Sequence, residues 1–313
     1  MACMKGIKKI VIGAANYFLT DKKYIEVSFK RRVGYKPNLK HPKTLCEKLN
    51  WLKLYDRKDY YTDLVDKVKA KEIAKEKGLP VIPLLGVYDK FNDINFDKLP
   101  DQFVLKVNHT SGGMVICKDK SKFDYKAAKK QLTKALKTNY FKKGREWPYK
   151  NVARKILAEE YVDSLGKPES IEYKLTCFNG KIEFITICRG IAHSDYCLRK
   201  NDFYDKDFNF LPFVTEYYEN SNVANIKPKF WDKMIEQAEK MAEGTHYLRV
   251  DFYDIDGEPV FGEATFFTWS GFMKFNPPEY DRILGDRLIL PIDEKQLWKL
   301  QLLEQDMLDY QMR

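Results

Sequence analysis

The chain has 313 residues, 44% hydrophobic and 14% aromatic, with 55 Lys+Arg against 45 Asp+Glu for a net charge of +10. This composition excludes a disordered or collagen-like chain and leaves enough apolar mass for two or three subdomains. The 4 histidines argue against a His-rich metal site, and the 6 cysteines, with no CxxC pair, read as reduced thiols of a cytoplasmic protein rather than a disulfide framework.

Residues 1–60 hold 15 Lys/Arg and 5 Asp/Glu, so the whole charge excess lies in an N-terminal arm. Residues 1–55 read as mostly helical. Lys5, Lys8, Lys9, Lys22, Lys23, Lys30, Arg31 and Arg32 present either a solvated helical face or a surface for an anionic polymer or the inner face of a membrane. The apolar run 10–19 is too short to span a bilayer and lacks a small-residue cleavage site. Residues 44–55 read as a helix with Leu45, Leu49, Trp51 and Leu52 on its apolar side. Residues 62–77 read as a single second helix, stopped by Gly78 and Pro80.

Residues 81–88 read as a buried strand. A strand from Phe103 carries Lys106 into a Ser111-Gly112-Gly113 turn, and a second strand returns to Cys117. An amphipathic helix over 124–138, a strand over 155–162 and a turn over 164–168 follow. Residues 171–178 and 181–188 flank Asn179-Gly180 as a hairpin on a type I′ turn. After a helix over 230–244, residues 248–253 and 259–266 form a second hairpin around Asp256-Gly257. The last stretch, 296–312, has helical leucine spacing. The fold class is α+β, with antiparallel sheets built from hairpins and helices packed on them. The chain contains neither GxGxxG nor GxxxxGK[ST], so neither a Rossmann nor a P-loop phosphate site is indicated.

Lys106 beside close-approaching glycine amides is suited to holding phosphate oxygens. Asp251 and Glu263 fall near each other across the second hairpin. They either share a hard cation, for which Mg²⁺ is suited by its preference for oxygen, or are two solvated strand acids. Arg249, two residues before Asp251 and on the same strand face, holds a carboxylate or oxyanion, or pairs with one of those acids. Lys67 supplies another positive charge or lies on the surface. Glu159, Glu160, Tyr161 and Val162 form a strand end able to bind an adenine edge.

A series of phrases in order resembles the TupA-like branch of the ATP-grasp superfamily over roughly residues 45–292. The phrases are Leu52-Lys-Leu-Tyr-Asp-Arg57, Asp66-Lys67, Ile82-Pro-Leu-Leu-Gly-Val-Tyr88, Phe103-Val-Leu-Lys106-Val-Asn-His109 and Gly144-Arg-Glu-Trp147. Ala158-Glu-Glu-Tyr161, Tyr173-Lys174, Arg249-Val-Asp251, Phe261-Gly-Glu263-Ala-Thr265-Phe266, Gly271-Phe-Met-Lys-Phe275 and Leu284-Gly285 complete it. The resemblance implies an ATP-grasp fold, in which two α+β subdomains clasp ATP and Mg²⁺. It divides the chain into the arm at 1–55, the N-terminal part of the core at 56–100, a glycine-loop nucleotide subdomain at 101–162, a metal and catalytic subdomain at 163–292 and a helical tail at 293–313.

By the same resemblance Lys67 and Lys106 contact the phosphates, Ser111, Gly112 and Gly113 cover them, and Glu159, Glu160, Tyr161 and Val162 line the adenine. Glu172 meets the ribose, Lys174 is a further nucleotide contact, and Asp251 and Glu263 bind Mg²⁺. Thr265 departs from the superfamily's usual Asn and still offers a hydroxyl. The implied reaction is ADP-forming ligation of a carboxylate and an amine through an acyl phosphate. Arg249 steadies that intermediate, while Ser270, Gly271, Arg189 and His193 are acceptor contacts. The branch is associated with surface polysaccharides, so a uronic-acid or amino-acid carboxylate is expected, with an amino compound as the second substrate. Three other readings compete with the ligase. A phosphotransferase uses the same ATP grip. A glycosyltransferase needs a sugar-nucleotide site, for which no persuasive DxD motif marks a strand end, and a basic RNA- or membrane-binding module lacks RNP-type and KH-type phrases, so no nucleic acid is expected.

Overall fold

The computed structural model describes residues 19–110, 112–165, 167, 170–191 and 198–292. The first 18 residues of the basic arm, Ser111, His193 and the helical tail expected at 296–312 lie outside the described residues. Thr20 caps α1 (Asp21–Arg32), an amphipathic segment with Asp21 in its first turn and Lys30, Arg31 and Arg32 in its last, as the helix dipole favours. Thr44 starts α2 (Leu45–Tyr55) through a reciprocal capping box with Glu47.

The single helix expected over 62–77 is two, α3 (Tyr60–Val65) and α4 (Lys67–Glu76). Asp66 between them is extended, and its carboxylate accepts the Val68 N–H at 2.9 Å. A short polar side chain that caps the next turn competes with continuation of the helix, and here the cap wins.

The strand expected from residue 81 begins three residues later, because Pro80 and Pro83 carry no N–H for a ladder. Val81 makes only an isolated bridge to Phe261. The first sheet contains β1 (Leu84–Tyr88), β2 (Phe103–Val107), β3 (Met114–Cys117) and, after α5 (Tyr125–Leu136) and the one-turn α6 (Phe141–Gly144), β4 (Ile156–Glu160). It is antiparallel in the order β1-β4-β2-β3. Phe103, Leu105, Val107, Ile156 and Ala158 pack beneath Ala128 and Leu132 of α5 as a separate core.

The second sheet uses β5 (Ile171–Phe178), β6 (Lys181–Arg189) and β7 (Lys200–Tyr204). After a short β8 (Val214–Thr215) and α7 (Trp231–Ala242) come β9 (Tyr247–Ile255) and β10 (Glu258–Thr265). The order β10-β9-β5-β6-β7 is antiparallel throughout. Both expected hairpins form: Asn179 and Gly180 have φ of 49° and 79°, and Asp256 and Gly257 have φ of 55° and 79°, the left-handed pair a type I′ turn requires. α7 lays Trp231, Met234, Ala238 and Met241 on one face of this sheet, within the largest core.

A two-stranded ribbon pairs β8 with β11 (Phe275–Asn276), and α8 (Glu279–Arg287) then docks on α2. Asp281 of α8 accepts the Cys46 N–H at 2.9 Å. At Gly285 a Cβ would meet Leu45 N and Thr44 C at 2.7 Å, with Lys43 O closer still. Gly285→Ala is therefore expected to push α8 off the start of α2 and cost about 1–3 kcal/mol, the usual penalty of overpacking. A thermal midpoint equal to that of the parent protein would show that the two helices yield freely. Among the described residues Cys46, Cys117, Cys177 and Cys188 are buried free thiols, and no helix is long and apolar enough to cross a membrane.

Candidate active site

The β9–β10 hairpin carries the first part of the site, and a bulge determines its geometry. The two-residue turn pairs Ile255 with Glu258, and the ladder runs regularly to Phe252 and Phe261. Continued unbroken, that ladder would set Gly262 opposite Asp251 and turn Glu263 to the other face. The register instead shifts between Phe261 and Glu263, so Glu263 pairs directly with Asp251 and Thr265 with Arg249. Gly262 is the extra residue; a Cβ there would meet the Tyr253 ring at 2.9 Å. On the next strand Lys174 lies opposite Asp251 and Thr176 opposite Arg249.

These side chains form one network. Arg249 grips Asp251 with two bonds of 2.6 and 2.7 Å, donates to Thr265 Oγ1 at 3.2 Å and lies 3.5 Å from Glu263. Lys174 bridges Glu172 and Asp251, both at 2.8 Å. Lys67 reaches Glu263 at 3.3 Å and the Thr110 carbonyl at 3.3 Å. Burial would raise the Glu263 carboxyl, but Lys67, Arg249 and Lys174 outweigh it and hold the group down at about 2. Burial would lower the Lys174 ammonium, yet Asp251 and Glu172 keep it well above the ordinary lysine value. Glu263 and Lys174 thus stay ionised at neutral pH.

Helix α4 links this cluster to the first sheet. Lys67 and Lys71 lie one turn apart on one helix face. Lys67 serves Glu263, while Lys71 reaches Glu159 of β4 at 3.1 Å and the Ile82 carbonyl at 3.1 Å. Lys106 holds the other Glu159 oxygen at 2.6 Å. Burial would raise the Glu159 carboxyl; the two lysines overcome that and lower it. Lys71, among the most buried lysines here, is lowered by burial despite its partner.

Two cavities flank the network. The first, about 180 Å³, lies between the sheets, with Val104, Ile116 and Tyr253 among its walls. Lys106, Glu159, Glu160, Tyr161, Val162 and Glu172 all line it. The second, about 220 Å³, opens on the other side of Lys174 and Arg249.

Of the residues singled out in the sequence, the structure gathers Lys67, Glu172, Lys174, Arg249, Asp251, Glu263 and Thr265 in the network, and sets Lys106 and Glu159 to Val162 at the first cavity. Gly112 and Gly113, both left-handed at φ 91° and 73°, lead from the loop after β2 into β3. Arg189 stands apart, donating two bonds to the Asn225 side-chain oxygen Oδ1. Ser270 and Gly271 turn toward α2 rather than the network. The Ser270 hydroxyl donates to Glu146, the Ser270 carbonyl accepts from Lys53 at 2.7 Å, and the Gly271 carbonyl accepts from Asn50 at 2.6 Å. Their neighbours Thr268 and Trp269 line the second cavity instead.

Sequence reasoning missed Lys71, whose signal was its four-residue spacing from Lys67. It also missed Lys53 and Glu146, both buried behind Ser270, where burial drives the lysine down to about 7 and the carboxyl up. Among the described residues no group of three or more His, Cys, Asp and Glu side chains is arranged to hold a metal alone. Asp251, Glu263 and the Thr265 hydroxyl are an oxygen-only set that fits Mg²⁺ when phosphate and water oxygens complete its shell.

No curated protein matches the chain. Among solved structures it is similar to a D-alanine–D-alanine ligase from Bacillus anthracis, at 21% identity and a TM-score of 0.39, over 64% of this chain and 56% of that one. The ATP-grasp ligase PsnB in complex with a minimal precursor gives 12% identity and a TM-score of 0.42, over 77% and 67%. An N5-carboxyaminoimidazole synthetase from Staphylococcus aureus gives 16% and 0.37, over 65% and 44%. The chain spans about half the length of the D-alanine–D-alanine ligases it matches. The family description "TupA-like ATPgrasp" matches residues 47–289, which hold both sheets, the ion-pair network and both cavities, and the chain belongs to that family.

Proposed function

We propose that this protein is an ATP-dependent, ADP-forming ligase that joins a carboxylate to an amine. The observation that carries the reading is the network in which Lys67 of α4 and Lys174 of β5 meet Arg249, Asp251 and Glu263 of the bulged hairpin, beside two cavities. The 180 Å³ cavity between the sheets suits an adenine ring, with Glu172 at the ribose. Lys106 and Lys67 then face the phosphates. An ammonium has three donors, and the described contacts use one on Lys106 and two on Lys67. Asp251, Glu263 and Thr265 would hold Mg²⁺, which when bound neutralises phosphate charge.

A substrate carboxylate oxygen attacks the γ-phosphorus, the bond to the β-γ bridging oxygen breaks, and ADP leaves. The amine nitrogen then attacks the acyl carbon, phosphate departs with the former carboxylate oxygen, and the amine gives up a proton to solvent. Arg249 stabilises charge on the acyl phosphate and on its tetrahedral successor. No protein nucleophile is required, because positioning and charge neutralisation supply the acceleration.

The carboxylate belongs to a uronic acid or amino acid of a surface polysaccharide or its precursor. The basic arm faces that anionic polymer, or the inner surface of the membrane that bears it; Lys22, Lys23, Lys30 and Arg31 of α1 are exposed for this role. The test is phosphate release from ATP with Mg²⁺ across a panel of uronic acids, amino acids and amines, followed by mass analysis. Free phosphate with a product lighter than its two substrates by one water is expected. Phosphate retained on the acceptor would make the protein a phosphotransferase.

A further inference from the structure

The face of the first sheet turned away from α5 forms one wall of the 180 Å³ cavity. The pairing of β2 with β3 and β4 brings Val104, Lys106, Met114, Ile116 and Glu159 together on that face. All five line the cavity. The Lys106 side chain is 20% exposed there, whereas that of Glu159 is 3% exposed. Lys71 comes to Glu159 from α4 with a side chain 4% exposed. The three charged groups form a row in which each ammonium takes one carboxylate oxygen, Lys71 at 3.1 Å and Lys106 at 2.6 Å. Two cations flank one anion, so the row carries one uncancelled positive charge, and Lys106 is its end at the cavity. By contrast, Lys67, Lys174 and Arg249 are matched by Glu172, Asp251 and Glu263.

A buried ammonium is a costly way to fasten α4 to β4. Ala70 and Ala74 already pack α4 into the main core. Apolar side chains in place of a buried ion pair commonly hold such a contact as well or better. What an apolar residue cannot supply is charge. Without Lys71, Glu159 and Lys106 close into a neutral pair, and Lys106 meets a phosphate with its charge cancelled. With Lys71 in place, Glu159 has a counter-ion on its buried side, and the ammonium at the cavity wall keeps its charge for an incoming anion. Two constraints fix Lys71 for this task. The Ile82 carbonyl accepts from its Nζ at 3.1 Å, and the helix that carries it sets Lys67 one turn earlier, toward Glu263.

We propose that Lys71 is a positioning residue for the nucleotide: it neutralises Glu159 from the α4 side and so leaves Lys106 charged toward the phosphates. The assignment rests on the ligase reading for the place of the nucleotide. Calorimetry with ADP and Mg²⁺ tests it on the parent protein, Lys71→Met and Lys71→Arg, each first checked by thermal unfolding. Methionine keeps the bulk and removes the charge, whereas arginine keeps the charge and adds bulk. Lys71→Met is expected to bind ADP at least about tenfold more weakly than the parent, and Lys71→Arg within about threefold of it. A purely packing role gives the reverse order, with methionine like the parent and arginine the weaker binder. Lys71→Gln supplies a second neutral side chain should methionine disturb the fold. ADP affinity unchanged in the neutral variants, or no better in Lys71→Arg than in them, overturns the assignment and leaves the ligase reading standing. A parent protein with no affinity for ADP at millimolar Mg²⁺ removes the ligase reading, and this assignment with it.

Discussion

Asp251→Asn is expected to reduce ATP-dependent phosphate release by at least about 100-fold, the scale on which removing one charge-stabilising group from a preorganised site acts. Asparagine keeps the size of the side chain and removes its charge. Asp251 is 3% exposed, accepts two bonds from Arg249 and one from Lys174, and on the ligase reading is one of two carboxylates that would hold Mg²⁺. The same substitution leaves two part-buried cations short of an anion. Glu172 still serves Lys174 and Glu263 still serves Arg249, so the loss falls near the lower end of the penalty for breaking a buried pair, about 3 kcal/mol. Phosphate release and urea denaturation of the same preparation separate the two effects. Turnover equal to that of the parent protein would take Asp251 out of the reaction.

The second large effect is expected at Glu159. This carboxylate is 2% exposed between Lys71 and Lys106. Glu159→Gln leaves Lys71, itself 3% exposed, without a charged partner, and is expected to cost about 3–5 kcal/mol. Lys71→Met alone removes one of two cations and leaves the Lys106 contact, so its cost is smaller. Combining Lys71→Met with Glu159→Gln should recover a large part of the Glu159 loss, because the stranded charge is gone. A double-mutant cycle in urea measures this. Strictly additive losses would mean that the pair is not coupled and that α4 is fixed to β4 by packing alone.

The hairpins were legible because Asn179-Gly180 and Asp256-Gly257 are dipeptides whose left-handed preference leaves few alternatives. The approach of Asp251 to Glu263 was legible for an incomplete reason. Distance along the hairpin suggested proximity, but the two-residue turn on its own would have placed the carboxylates on opposite faces. The bulge at Gly262 restores them to one face, and a lone glycine in a strand is only a faint sign of it. The break at Asp66 was hidden because aspartate is tolerated within a helix as well as at its start. Arg189, Ser270 and Gly271 follow the right strands in sequence, yet their partners, Asn225 and the α2 residues Lys53 and Asn50, lie far away along the chain. Strand β7 is short, and the β8–β11 ribbon pairs residues with α7, β9 and β10 between them, so local periodicity carries no signal.

The network of Lys67, Lys174 and Arg249 with Glu172, Asp251 and Glu263 is balanced, three cations against three anions. On the ligase reading, a nucleotide arriving here does not fall into a positive well. It trades places with resident carboxylates, and the carboxylates it frees become available to a divalent cation. Nucleotide and metal are then thermodynamically linked, each raising the affinity for the other by the same factor, and the resting protein needs neither to keep its centre neutral.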